Sequence, residues 1–200
     1  MKRFAIVAAL ALLPLFALAE TSTWNIDPAH SQAMFTVRHM VITNVRGQFQ
    51  KTTGTARIDE ADLTRSSVEA TIDAASIDTR VEARDGHLRS PDFFDVAKYP
   101  TITFRSTKVE KAGQGKLKVT GDLTIHGVTK PVVLDVDGPS APIKDGKGLR
   151  RGLTATTSIN RQDFGLKWNK MVEAGPVVAD EVKIEIEAEL TAAGDQQAKN

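Results

Sequence analysis

The sequence predicts an all-β fold, an antiparallel barrel or sandwich of about eight strands with a short helical cap inserted near residues 81–99. Most of the chain alternates apolar and polar residues, which is the pattern of strands with one buried face. Short turns join these segments, and a closed barrel or a sandwich buries their apolar faces best. The alternation stops between residues 84 and 106, and this interruption predicts the cap.

Eight segments are predicted as strands, namely residues 23–27, 33–39, 67–75, 101–109, 116–125, 130–136, 149–159 and 181–190. The last is the clearest, because every second residue from Val182 to Leu190 is apolar or small and the residues between are charged. Gly121 interrupts its segment and predicts a bulge or a bend. The sequence NVRG at 44–47 predicts a turn, followed by a polar, threonine-rich segment at 48–58.

The cap region concentrates aromatic side chains. A helix-compatible run at residues 81–89 leads into Pro91, and Phe93, Phe94 and Tyr99 follow closely. Two adjacent phenylalanines cannot both point inward from a regular strand, because successive side chains of a strand face opposite ways. The segment is therefore predicted to be an irregular cap over the end of a sheet. It either plugs a filled core or closes a pocket.

The N-terminus has the features of a signal peptide: basic residues, an apolar run and a small-x-small cleavage site. The apolar run contains Pro14 and is shorter than the roughly 20 residues that a membrane-spanning helix needs. We therefore expect residues 1–19 to be removed after Ala19 and the mature protein to be periplasmic or secreted. One domain is predicted at residues 20–191 and a polar, disordered tail at 192–200.

Charge and cysteine content exclude several classes of partner. The chain carries 26 Lys and Arg against 25 Asp and Glu, and the predicted leader holds two of the basic residues, so the mature chain has a net charge of −1. This balance predicts neither nucleic acid nor an anionic membrane as the main partner. No other apolar stretch is long enough for stable membrane insertion. With no Cys, the domain is stabilised by its core alone.

No catalytic residue, metal site or cofactor is predicted. The four histidines, at positions 30, 39, 87 and 126, lie far apart and match no zinc-ligand spacing. A metal site assembled from distant strands stays an alternative. The chain has no G-x-S-x-G elbow and no S-x-x-K, so the common serine hydrolase signatures are absent. The sequence GQG at 113–115 lacks the third glycine of a dinucleotide loop and predicts a hairpin turn. We expect no enzyme activity.

The size of the side chains predicted to face inward bears on function. An eight-stranded barrel is either filled by side chains or holds one small ligand. Ala70, Ala155 and Ala188 are small, whereas the large aromatic residues cluster in loops. This distribution favours an internal space, and a tightly packed core is the alternative.

Five motifs resemble those of the YceI-like family and occur in that family's order. They are DPAHS (27–31), RDGHL (84–88), DFFD (92–95) with YP (99–100), GDLTIHGVT (121–129) and NRQDFG (160–165). The resemblance spans nearly the whole mature chain. It implies an extended lipocalin-like antiparallel β-barrel that holds a long polyisoprenoid or a similar amphipathic lipid.

Under this interpretation the candidate ligand-binding residues form two sets. The apolar pocket and lid are predicted to comprise Phe35, Val37, Ile72, Phe93, Phe94, Tyr99, Phe104, Leu123, Ile125, Leu134, Phe164, Leu166, Trp168 and Met171. The polar head group of the ligand is predicted to contact Arg38, His39, His126 and Arg161. Two alternatives stay open: Arg161 pairs only with Asp163 or with backbone carbonyls, and the cluster around Trp168 packs outside the sheet instead of closing the mouth.

The sequence thus predicts an exported, non-enzymatic binding protein that holds an amphipathic isoprenoid lipid, a polyprenyl compound or a quinone, for transport, storage or sequestration. Long isoprenoid chains suit such a pocket because each buried CH₂ group contributes roughly 0.8 kcal/mol. The alternatives are a secreted scavenger of foreign lipophiles such as hydrophobic antibiotics, and a structural or stress-related envelope protein with a filled core. An exposed strand edge leaves a homodimer open.

Overall fold

The computed structural model describes residues 21–146, 148–173 and 175–194. Its strands are β1 (Thr21–Ile26), β2 (Gln32–His39), β3 (Thr43–Phe49), β4 (Thr52–Asp59), β5 (Ser67–Asp73), β6 (Ile77–Asp78), β7 (Thr101–Gly113), β8 (Lys116–Ile125), β9 (Val128–Asp137), β10 (Ile143–Lys144), β11 (Leu149–Asn160), β12 (Met171–Val172), β13 (Gly175–Pro176) and β14 (Val178–Ala192). The helix α1 spans Glu82–Arg89, and 3₁₀ turns occur at Leu63–Arg65, Ala74–Ser76 and Arg161–Phe164. None of the helices in these ranges is long and apolar enough to cross a bilayer.

Eight strands close into an antiparallel barrel in the order β1, β4, β5, β7, β8, β9, β11, β14, and β14 pairs back with β1. The closure depends on the length of β14. Its C-terminal end pairs with β1, where Trp24 lies opposite Ala192, and its N-terminal half pairs with β2, where Val37 lies opposite Val182. Strand β2 therefore continues the sheet along the part of β14 that β1 does not reach, and β3 and β6 follow it.

Three apolar clusters follow one another along the barrel, and the register of β11 orders them. Leu153 packs with the cluster around Trp24, Ala155 belongs to the cluster around Val119, and Ile159 packs on the cluster around Phe164. Alternate residues of β11 thus point into the barrel at increasing distance from Trp24. We call the two ends the Trp24 end and the cap end.

The predicted fold class is confirmed, and each of the eight predicted strands is present, with unchanged ends in β8 and with ends shifted by up to a few residues in the others. The predicted cap is also present, as α1 and the turns that follow it. Strand β7 has a register shift between Ser106 and Lys108, opposite Gly121, so the predicted irregularity lies on the partner strand. The predicted leader and residues 195–200 of the predicted tail lie outside the described residues. Ala192, assigned to the tail, is the last residue of β14.

The turn predicted at residues 44–47 is wrong, because these residues lie within β3 and pair with β2. A Cβ on Gly47 would overlap the ring of Phe35, so this glycine permits close packing of two strands and does not form a turn. The chain reverses earlier, where Met40 and Val41 adopt left-handed backbone angles with φ of 48° and 63°. Neither residue type predicts such a turn.

Candidate ligand-binding cavity

The barrel encloses a cavity of about 280 Å³ whose lining is almost entirely apolar. It is lined by side chains from every strand of the barrel and from β2. Leu190 and Ile58 line it at the Trp24 end, and Leu88, Phe93 and Phe94 line it at the cap end. The cavity therefore runs along the axis of the barrel.

The lining residues of β11 give the length of this cavity. Leu153, Ala155, Thr157 and Ile159 of β11 line it at intervals of two residues, and Arg161, the residue after β11, continues the row. At about 3.3 Å per residue, this row is about 26 Å long along the strand. A strand tilt of about 40° reduces it to about 20 Å along the barrel axis. A cavity of this length and of modest volume is narrow and elongated, so its shape suits a linear chain.

Small side chains on the inner face leave the space open. The three alanines predicted to face inward, Ala70, Ala155 and Ala188, all line the cavity. They lie among larger residues such as Phe104 and Ile186, which also line it. An alanine on the wall leaves a recess between larger neighbours, because its side chain ends at the Cβ.

The cap is anchored to the barrel through a buried carboxylate. Asp85 of α1 is buried and accepts hydrogen bonds from the backbone N–H of Thr79, at 2.9 Å, and from its hydroxyl. Arg84 donates from Nε to the same hydroxyl at 2.7 Å and from Nη2 to the Thr79 carbonyl at 2.9 Å. Arg89 at the end of α1 donates to the carbonyls of Ala75 and Ile77. These hydrogen bonds hold α1 against residues 75–79, which follow β5.

Aromatic rings close the cap end of the cavity. Phe94 packs edge-on against Phe49, with ring centroids 5.7 Å apart, and Phe93 lies 5.2 Å from Trp168. The ring of His87 lies edge-on to both Phe93 and Trp168, at 5.1 and 4.9 Å. The two adjacent phenylalanines thus both face the cavity, which an irregular turn permits and a regular strand does not.

Most residues predicted for the apolar pocket line this cavity. They are Phe35, Val37, Ile72, Phe93, Phe94, Phe104, Leu123, Ile125, Leu134 and Leu166. Whether they contact a ligand stays a prediction. Other lining residues were not predicted, among them Val68, Leu117, Leu153, Ile184 and Ile186. Their signal was present, because they occupy alternate positions of predicted strands. Leu88 on α1 had no such signal.

Four predicted pocket residues do not line the cavity. Phe164 is fully buried in the apolar cluster at the cap end, and Trp168 packs against Phe93. Tyr99 packs against His126 with ring centroids 4.5 Å apart, and Met171 is exposed on β12. The position of Trp168 against Phe93 favours a place at the mouth over packing outside the sheet.

Arg161 is the one predicted head-group residue that lines the cavity, and its donors are occupied. Nε donates to the carbonyl of Ala179 and Nη1 to those of Leu166 and Trp168. Nη2 donates to the Val178 carbonyl and to the carboxylate of Asp180. Burial lowers the pKa of this guanidinium, and the charge of Asp180 opposes that effect. The pairing with backbone carbonyls is present, but the acidic partner is Asp180 and not Asp163.

The other three predicted head-group residues lie at the cap end but outside the cavity lining. Arg38 donates from Nε to the Val41 carbonyl at 3.0 Å and from Nη1 to Asn44 Oδ1 at 3.3 Å. His39 ends β2, opposite Val178. His126 and a glycine form the two-residue turn between β8 and β9, both with positive φ, as a type I′ hairpin requires.

One cluster of metal-ligand residue types occurs within the described ranges, formed by Asp27, His30 and Glu189. Arg150 lies among them, with Nη1 3.0 Å from Asp27 and in contact with Glu189. Burial alone would raise the pKa of Asp27, but hydrogen bonds from His30, the Ala29 N–H and Arg150 hold it below its ordinary value. The acidic groups are thus neutralised by a guanidinium, and a cation would have to displace it.

A closed eight-stranded antiparallel barrel with an elongated apolar interior under an aromatic cap is a lipocalin-like barrel. Residues 24–190 match the model of the YceI-like domain, and the chain belongs to this family. It is 38% identical over 161 residues to a UPF0312 protein of Vibrio cholerae, covering 80% of this chain and 85% of that protein.

Solved structures share the fold. The crystal structure of Burkholderia cenocepacia BcnA is similar with a TM-score of 0.71 and 27% identity, covering 82% of this chain and 98% of that one. A polyisoprenoid binding domain from Saccharophagus degradans, implicated in plant cell wall breakdown, is similar in fold, with a TM-score of 0.61 and 20% identity, covering 86% and 99%.

Proposed function

We propose that this chain is an exported, non-enzymatic protein that holds one amphipathic isoprenoid lipid, a polyprenyl compound or a quinone, in its barrel for transport, storage or sequestration. The observation that carries the proposal is the narrow apolar cavity, about 20 Å long, that runs from the Trp24 end to the aromatic cap. A single chain encloses this cavity, so a homodimer is not required.

The lining supports a lipid chain as the occupant. A branched hydrocarbon fits against aliphatic and aromatic walls, and each buried CH₂ group contributes roughly 0.8 kcal/mol before ordering costs. An isoprene unit with about five carbons then contributes a few kcal/mol. The chain therefore supplies affinity in proportion to the length it buries, and the head group needs few contacts. The name of the S. degradans domain, whose fold is similar, is consistent with this ligand class.

The same lining supports a role without covalent chemistry. Among the described residues that line the cavity, the charged ones are Arg57 and Arg161, and none is a carboxylate, a histidine or a lysine. General acid-base catalysis needs a group that exchanges protons near the operating pH, which arginine does not do. Export to the periplasm follows from the predicted leader and from the family resemblance, and is part of the proposal.

The test is organic extraction and mass spectrometry of the protein purified after export from a bacterial host, beside an unrelated folded protein. A stoichiometric isoprenoid or quinone is the expected result. Ala70→Phe fills the cavity wall, whereas Thr71→Phe adds the same ring to the outer face of the same strand. We expect the first variant to lose the lipid and the second to keep it.

Three outcomes would contradict the proposal. An empty protein that also fails to bind added polyprenol or quinone would favour a structural role. Binding of many unrelated hydrophobic compounds with similar affinity would favour the scavenger. Equal lipid content in both phenylalanine variants would place the ligand outside the cavity.

A further inference from the structure

Two neighbouring hairpins at the cap end present large apolar side chains to solvent. Val41 and Ile42, in the loop between β2 and β3, are 55% and 68% exposed. Met171, in the hairpin of β12 and β13, is 70% exposed. We call these three residues the apolar tip. Exposed apolar residues that are clustered indicate an interaction surface, whereas single ones do not.

Hydrogen bonds hold the two hairpins side by side. The N–H of Met40 donates to the Val177 carbonyl at 2.9 Å, and the N–H of Val177 donates to the Lys170 carbonyl at 2.9 Å. A Cβ on Gly175 would lie 3.6 Å from Val41, so the hairpins also touch. The tip is therefore one surface.

The backbone of the first hairpin is strained in a way that exposes these side chains. Val41 has φ of 63°, in the left-handed region that a β-branched residue rarely adopts. Arg38 donates to the Val41 carbonyl at 3.0 Å and stabilises this conformation. Backbone strain of this kind concentrates at functional sites.

Basic residues flank the apolar tip along the chain, although the mature chain is nearly neutral. Arg38, Lys167 and Lys170 flank it, against one acidic residue, Glu173, in the same two segments. Within the part of the chain that the structure describes, none of the three cations forms an ion pair. Apolar side chains flanked by cations that form no ion pair complement the surface of a bilayer that contains anionic lipids.

The tip is continuous with the wall of the cavity. Val37 precedes Arg38, Val178 follows β13, and both line the cavity. A membrane that receives the tip would thus lie beside the aromatic cap, formed by Phe93 and Trp168. A lipid passing between bilayer and cavity would then cross little water.

We propose that the apolar tip docks the barrel reversibly, cap end first, on an anionic phospholipid surface, where the cavity exchanges its lipid. This inference rests on the proposed function. Three side chains are too few for stable insertion, so the contact is interfacial and its charge component weakens with salt.

The test is flotation of the exported protein with vesicles of phosphatidylethanolamine and phosphatidylglycerol, and with vesicles of phosphatidylcholine alone. We expect binding to the anionic vesicles only, and less of it at high salt. The variant Lys167→Glu with Lys170→Glu should bind at least roughly tenfold more weakly, because each cation near an anionic surface contributes about fivefold in affinity. Lys116→Glu with Lys144→Glu, on exposed strand positions toward the Trp24 end, should bind as the parent does.

A second test variant, with its own control variant, probes the apolar side chains of the tip. Ile42→Ser with Met171→Ser should abolish most of the binding, whereas Val133→Ser with Ile143→Ser removes exposed apolar side chains elsewhere and should leave it unchanged. Circular dichroism of all variants checks folding. Equal losses in test and control variants would overturn the proposal. A parent protein that floats with neither kind of vesicle would also overturn it, and would favour a protein as the partner of the tip.

The two proposals fail differently. A protein that carries an isoprenoid in solution but ignores anionic vesicles would refute docking and leave the binding function standing. A protein that floats through its tip but carries and binds no isoprenoid or quinone would refute the function and leave docking standing.

Discussion

Arg161 donates from Nη2 to Oδ1 of Asp180 at 3.0 Å, and this pair joins the turn after β11 to the start of β14. The guanidinium is buried, while the carboxylate is partly exposed. Because its remaining donors bind the carbonyls of Leu166 and Trp168, among others, the same side chain positions the segment that packs against the cap. One buried cation thus connects the barrel wall to the aromatic closure of the cavity.

Replacing this guanidinium should destabilise the fold and loosen its closure together. Arg161→Lys keeps the charge but lacks the five donors, so several buried carbonyls lose their partners. We expect the free energy of unfolding in urea to fall by about 2–4 kcal/mol and the emission of Trp168 to shift to the red. Arg105→Lys, in an exposed pair with Glu69, should change the free energy of unfolding by less than about 1 kcal/mol. Equal losses of unfolding free energy in the two variants would show that Arg161 stabilises the fold no more than an exposed ion pair does.

The emission of Trp168 should also report the cavity. Its ring lies 5.2 Å from Phe93, which lines the cavity, whereas Trp24, the other tryptophan, is buried at the opposite end. In a Trp24→Phe background, adding a polyprenol should change the emission of Trp168 as the cap adjusts to the chain. The parallel Trp168→Phe variant should respond less. A flat titration with a ligand shown to bind by mass spectrometry would contradict this prediction.

The strands and most of the cavity wall could be predicted because both follow from the two-residue alternation of apolar and polar side chains along a strand. Alternate residues of β14 from Val182 to Leu190 line the cavity, as their pattern in the sequence indicates. A lining position therefore follows from any correctly predicted strand. The error at residues 44–47 arises from local sequence as well, since a glycine after polar residues predicts a turn, whereas the ring of Phe35 requires Gly47 inside a strand.

The polar part of the candidate site could not be predicted, because it depends on contacts between distant segments. Arg161 lines the cavity, but its partner Asp180 lies on another element, and nothing in the local sequence indicates that all its donors are occupied. The turn at Met40 and Val41 lacks glycine and asparagine and depends on the neighbouring hairpin. Only tertiary packing brings Trp168 to Phe93.

The anchor of the cap gives a further prediction. Asp85→Ala leaves the buried N–H and hydroxyl of Thr79 without their acceptor. We expect the free energy of unfolding to fall by about 2–3 kcal/mol, because buried donors without partners are costly. Retention of a bound isoprenoid through gel filtration should fall as well, since α1 carries Leu88 over the cavity. Glu82→Ala, exposed on the same helix, is the control and should affect neither.

Stability at acidic pH should depend on Asp27. Burial opposes its ionisation, yet hydrogen bonds from His30, the Ala29 N–H and Arg150 leave the pKa of Asp27 below its ordinary value in the folded state. The ionised carboxylate therefore stabilises the fold above the unfolded pKa of about 3.9, and this contribution is lost as the pH falls through the lower folded pKa. Urea unfolding at a series of pH values from about 5 to 2 should show stability falling with acid in the parent and falling less steeply in Asp27→Asn. Asp135→Asn, which breaks an exposed pair with Lys118, should keep the slope of the parent. Parallel slopes for the parent and Asp27→Asn would show that the network around Arg150 does not govern acid stability.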